Sequence, residues 1–162
     1  MAEKITYQFD DFLATVDADN KDFVLKINEV LQNNNYKSKV ENKASGFFVA
    51  YTHPKTKRNI MNFLFRKNGL LVRIYADNFN KYTDFLNLLP EEMEKEIAKS
   101  TICKRLINPN DCNPKCIMGY DFSIRNTNYK KCRYSCFQFA VNPSSMPVLS
   151  DFIENERKER QA

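Results

Sequence analysis

The stretch "RNIMNFLFRKNGLLVRIYAD", residues 58–77, decides the fold. Two apolar runs flank Asn68-Gly69, a dipeptide that suits a two-residue type I′ turn because both central positions need φ > 0. Counting outward from that turn pairs Arg66 with Leu71, Phe65 with Val72 and Phe63 with Ile74. Side chains alternate across a strand, so Phe63, Phe65, Val72 and Ile74 share one face. Asn62, Arg66, Arg73 and Tyr75 share the other, together with Leu64 and Leu71. The first face is apolar and belongs to a core, and pattern and register agree on that assignment.

The same alternation extends upstream. "YKSKVEN" (36–42) and "GFFVAYT" (46–52) read as two further strands, and "HPKTK" (53–57) as a looser hairpin that brings Val49 near Met61 on the core face. Before them the period changes to helical. Phe9, Phe12, Leu13 and Val16 form one short stripe; Phe23, Val24, Ile27, Val30 and Leu31 form a longer one that ends at Asn33–Asn35. Downstream, "NKYTDFLNLL" and "PEEMEKEIAKS" are predicted helices, with Pro90 at the start and Glu91 and Glu92 at the positive end of the dipole. "GYDFSIR" and "YKKCRYSCFQFAV" read as a second hairpin across Asn126-Thr127. "MPVLSDFIENERKER" reads as a terminal helix with a charged, solvated end. The expected fold is one α+β domain over residues 1–162: an antiparallel meander sheet with N-terminal and central helices, a C-terminal β-hairpin and a terminal helix.

Composition narrows the function classes. The chain has 162 residues, 43% hydrophobic and 28% charged, enough apolar material for a genuine core. No apolar run approaches the roughly 20 residues needed to cross a bilayer. "MAEKITYQFDDF" has no basic stretch followed by an apolar one, so a cytoplasmic protein without a membrane partner is expected. Net charge is +5, and it is unevenly placed. Residues 36–75 carry nine Lys and Arg against one Glu, and residues 101–142 carry seven against two Asp. Two basic blocks favour an anionic partner.

The five cysteines are an odd number, which argues against a fully paired disulfide framework. Cys112 and Cys116 lie in "NPNDCNPKC", a loop rich in turn formers that can bend two thiols toward one ion. Cys132 and Cys136 lie in "CRYSC". If that segment is strand, four residues span about 13 Å, too far for two ligands of one tetrahedral zinc. The predicted hairpin sets Cys136 near Cys116 and Cys132 near Asp121. The expected structural zinc set is therefore Cys103, Cys112, Cys116 and Cys136, unless a bulge bends the strand around Cys132 and lets it replace Cys103. Unliganded buried thiols are the competing explanation, because free Cys is among the most buried residue types. A third alternative makes the protein a thiol-dependent enzyme or redox protein using Cys116, Cys132 or Cys136, since cations flank Cys132. His53, the only histidine, sits in a Pro-containing turn and gives little support to a Cys–His pair. The cysteine triplet of radical enzymes is excluded by Gly119, which stands where the third cysteine belongs.

The polar face of the first sheet supplies the expected ligand site: Asn62, Arg66, Arg73 and Tyr75, with Phe48 and Arg58 nearby. Arg and Tyr together grip phosphates, carboxylates or nucleobases. The expected function is a non-enzymatic binding or regulatory domain for an anionic small molecule, nucleic acid or protein. An ordinary solvated face with snorkelling arginines is the alternative.

"KASGFFVAYTHPKTKRNIMNFLFRKNGLLVRIYAD", "ICKRLINPNDCNPKCIMGYDF" and "YKKCRYSCFQFAV" resemble an uncharacterised family of small cysteine-containing cytosolic proteins from low-GC Gram-positive bacteria. The likeness runs over residues 20–157. That group has no established activity, so the resemblance carries no catalytic residue across. The order of elements is also similar to the compact α+β domains of YjbR-like proteins, a likeness of plan that implies no function.

Overall fold

A computed structural model describes residues 5–161. The architecture is α+β. Two helices, α1 (Phe9–Leu13) and α2 (Ala18–Asn33), precede four strands: β1 (Lys37–Lys43), β2 (Gly46–Thr52), β3 (Asn59–Arg66) and β4 (Gly69–Ile74). Three short helices follow: α3 (Thr83–Asn87), α4 (Glu91–Lys99) and α5 (Lys104–Ile107). Next come a hairpin of β5 (Tyr120–Ile124) and β6 (Thr127–Lys131), a last strand β7 (Gln138–Ala140), and α6 (Met146–Gln161). The main sheet is antiparallel in the order β1-β2-β3-β4-β7, and β5-β6 forms a second, two-stranded sheet.

Both faces of the main sheet match the alternation in the sequence, but the β3–β4 register does not. Phe63 pairs with Val72, Asn62 with Arg73 and Arg66 with Gly69, two residues away from the expected pairing. The turn is Lys67-Asn68, with Gly69 following at φ 111°. The β1–β2 hairpin is built the same way: Lys43 pairs with Gly46, which sits at φ 127°. A glycine at positive φ just after a two-residue turn lets the chain re-enter the ladder without a Cβ clash. Because the slip is two residues, every side chain keeps its face.

One face of the sheet carries the core. Phe63 packs on Phe12 of α1 at 5.6 Å and on Phe23 of α2 at 6.5 Å, while Phe139 of β7 meets Phe152 of α6 at 6.5 Å. Val49 lies opposite Phe63 and Tyr51 opposite Met61, all four fully buried. The α2 stripe ends at Asn35, whose φ of 71° reverses the chain into β1. The β5–β6 hairpin docks through Tyr120 and Phe122, whose rings sit 5.4 and 5.3 Å from Phe137. Lys131, buried at the end of β6, donates from Nζ to the carbonyls of Ala98 (2.9 Å) and Ser100 (3.0 Å), satisfying the open end of α4.

Three further expectations are corrected. First, the second hairpin turns at Arg125-Asn126, whose φ of 44° and 75° give the two positive values of a type I′ turn. Lys131 therefore faces Tyr120, and Asp121 faces Lys130 instead of Cys132. Second, "CRYSC" is not strand. The Cys132 carbonyl accepts from the N–H groups of Ser135 (3.1 Å) and Cys136 (2.9 Å), closing a helical turn, and β7 starts only at Gln138 and joins β4. Third, the end of α6 is not simply solvated. Glu156 is fully buried, and Arg160 is held against Glu156 at 2.7 Å and Asp77 at 3.4 Å. Asp77 also receives Arg133 at 3.0 Å and the Tyr120 hydroxyl at 2.9 Å, so one ionic network ties α6, the end of β4 and the β5–β6 hairpin together.

Candidate functional site

The face of the sheet opposite the core gathers mostly positive charge. On β1 the alternation places Lys37, Lys39, Glu41 and Lys43 there, across from Thr52, Ala50, Phe48 and Gly46. Arg66 of β3 and Arg73 of β4 lie on the same face, with Leu64 and Leu71 between them. Five cations therefore share this face with one strand carboxylate. Glu41 is divided between Lys39 at 3.4 Å and Lys43 at 3.5 Å, exposed pairs that contribute little to stability. The Lys43 ammonium also stands 4.1 Å over the Phe48 ring.

The four expected ligand residues divide into two kinds. Asn62 is buried, accepts from Asn59 Nδ2 at 2.7 Å and donates to the Tyr75 hydroxyl at 3.2 Å. Tyr75 is buried too, with Tyr134 edge-on at 6.0 Å and the Arg133 guanidinium 5.2 Å from its ring. Those two side chains hold structure. Arg73 is half-buried and donates from Nε to Gln138 at 3.0 Å, whereas Arg66 is exposed. Near Arg66, Glu92 and Glu96 of α4 border a hollow that also touches Leu71 and Gln138. Arg58 turns away to Asp77 at 3.4 Å. The lysines of β1 were the missed part of the site. Their signal is the every-second-residue spacing in "KSKVENK", which puts Lys37, Lys39 and Lys43 on one side.

The cysteines are distributed unevenly. Cys103, Cys112, Cys116 and Cys132 line one cavity of about 330 Å³. Cys136 does not line it and lies fully buried in the core. Burial pushes the Cys136 thiol well above its ordinary value, with Lys131 opposing and Cys132 adding to the shift. A protonated, enclosed thiol is a poor nucleophile. Cys136 is accordingly expected to resist alkylation of the native protein at neutral pH and to react once the chain is unfolded; modification of Cys136 in the folded state, read by peptide mass mapping, would contradict its burial. Among the described residues, no group of three or more His, Cys, Asp or Glu side chains is gathered to hold a metal ion. His53 lies outside the cysteine cavity, packed edge-on against Tyr36 at 5.4 Å.

Fold and site together define a small α+β protein with a cationic sheet face and a separate thiol-lined cavity. No family model, curated protein or solved structure matches the chain. Among the described residues no helix is long and apolar enough to cross a membrane.

Proposed function

We propose that this protein is a binding domain that holds a single-stranded nucleic acid across the outer face of its sheet. The observation that carries the reading is the placement of Lys37, Lys39, Lys43, Arg66 and Arg73 on one face with Glu41 as the one strand carboxylate. Lysines on an edge strand also discourage unwanted strand pairing, but that role does not require Arg73, which lies in an interior strand. The cations are spread from β1 across to β3 and β4 instead of gathering in one pocket, which suits an extended polyanion. Phe48 adds a ring on which a base can stack.

Electrostatic binding of this kind is read from its salt dependence. If about four of the cations meet phosphates, the logarithm of affinity for a single-stranded oligonucleotide falls against the logarithm of salt with a slope of roughly −3. In the Lys39→Gln/Arg73→Gln double variant the slope is expected to become shallower by about 1.4, since each lost phosphate contact removes roughly 0.7. Fluorescence anisotropy over a salt series measures both slopes. Absence of binding at low salt, or an unchanged slope in the variant, would remove this reading.

A further inference from the structure

We infer that the cysteine cavity is a thiol–disulfide exchange site for the disulfide of a small, carboxylate-bearing thiol, with Cys116 as the attacking residue and Cys132 as its resolving partner. The cavity is framed by two unlike parts. Cys103 and Cys132 are set by backbone pairing: the Cys103 N–H donates to the Lys130 carbonyl at 3.0 Å and the Cys132 N–H to the Thr101 carbonyl at 2.8 Å. Cys112 and Cys116 come from the loop that leads into β5.

Accessibility separates the four thiols. Cys103 is buried beneath Gly119, and Cys112 faces solvent, whereas Cys116 and Cys132 are half-buried. Both line the cavity together with Tyr134, whose proton is held more tightly through burial and then through Cys116, with Cys132 contributing less. Arg105 donates from Nη1 to the Cys116 carbonyl and so fixes the loop beside its own positive charge.

The charge of the cavity selects the ligand. Lys104, Arg105 and Lys115 line it with one acid, Asp111, and none of the three cations has a carboxylate partner among the described residues. Its fourth cation, Arg133, is matched by Asp77 at 3.0 Å. A volume of about 330 Å³ keeps the thiols around a space suited to a small molecule. A single zinc ion instead needs its sulfurs within about 2.3 Å.

The chemistry balances without another reactant. The Cys116 thiolate attacks one sulfur of the ligand disulfide; that S–S bond breaks, a protein–ligand S–S bond forms, and the other ligand half leaves as a thiolate that takes a proton from water. Cys132 then attacks Cys116 Sγ, forming a Cys116–Cys132 disulfide and releasing the second ligand thiol. The ligand disulfide is reduced and the two protein thiols are oxidised.

The test uses the reduced full-length protein with glutathione disulfide, which is anionic, and cystamine, which is dicationic. Each native rate is divided by the rate of the urea-unfolded chain, and products are located by peptide mass mapping. The normalised rate is expected to favour the anionic disulfide by about tenfold at low salt, an electrostatic advantage that shrinks as salt rises. Lys104→Gln/Lys115→Gln should bring the ratio close to one. Cys116→Ser should abolish the cavity adduct, while Cys132→Ser should trap it as a stable mixed disulfide on Cys116. Equal normalised rates, an adduct that survives Cys116→Ser, failure of Cys132→Ser to trap it, or one zinc per chain masking the cavity thiols would each overturn the proposal. None of these readouts involves the sheet-face cations, so nucleic-acid binding and thiol exchange succeed or fail separately.

Discussion

Glu156→Ala is expected to destabilise the protein by about 3 kcal/mol, the lower end of the range for breaking a buried ion pair. The carboxylate is fully buried on α6 and has four donors. Oε1 accepts from the Asn78 N–H at 3.0 Å and the Tyr82 hydroxyl at 2.6 Å; Oε2 accepts from Asn78 Nδ2 at 2.8 Å and Arg160 Nε at 2.7 Å. Truncation leaves those donors facing a cavity and leaves Arg160 without its nearest counter-charge. Asp77 stays 3.4 Å from Arg160, and the carbonyls of Tyr75 (2.8 Å) and Asn59 (3.1 Å) still accept from it, which holds the loss at the low end. Urea unfolding should show the midpoint falling by roughly 1–2 M with an unchanged m-value. A paired Glu156→Leu/Arg160→Met change should cost much less than Glu156→Ala, because neither charge is then stranded. A loss below about 1 kcal/mol for Glu156→Ala would mean that water replaces the carboxylate at this position.

That network also marks a limit on what could be read from the sequence. Leu149, Phe152, Ile153, Glu156 and Arg160 follow helical spacing, so the position of Glu156 on the buried stripe was legible in "MPVLSDFIENERKER". Its charge hid it: a carboxylate in a run of Glu, Arg and Lys reads as solvent-facing until its partners are known, and Asn78 and Tyr82 are more than 70 residues away. The sheet shows the reverse case. Its faces were legible because they depend only on parity, which a slip of two residues preserves. The register was not, because Asn68-Gly69 suits a type I′ turn while the chain turns one residue earlier and uses only the positive φ of Gly69. The same ambiguity put Lys130 opposite Asp121, where Cys132 was expected. "CRYSC" offers no periodicity strong enough to separate strand from turn, and its turn is closed by bonds to the Cys132 carbonyl. Which cysteines share a cavity therefore depended on two distinctions that spacing alone does not make.

Gly119→Ala brings the fold and the cavity into one experiment. An added Cβ would lie 2.4 Å from the Lys131 carbonyl oxygen and 2.6 Å from both Cβ and Sγ of Cys103. The first of these atoms is backbone, so a rotamer change cannot relieve the clash. Either β6 shifts, or the chain near Gly119 moves away and takes the cavity wall with it. Overpacking of this kind costs about 1–3 kcal/mol, and a clash with backbone on one side and a buried cysteine on the other places this variant at the upper end. Gly69→Ala is the control: it meets nothing within 4 Å, so its cost comes only from holding alanine at φ 111°. The two variants should therefore separate in urea unfolding, with Gly119→Ala the less stable. They should separate more sharply in thiol exchange. Moving β6 disturbs the Cys103–Lys130 and Thr101–Cys132 backbone bonds that position one side of the cavity, so Gly119→Ala should lose the preference for an anionic disulfide while remaining folded at low temperature. Gly69→Ala, on the far hairpin, should keep it. If Gly119→Ala matches Gly69→Ala in stability and retains the preference, the close packing of Gly119 against Cys103 and β6 does not govern the cavity.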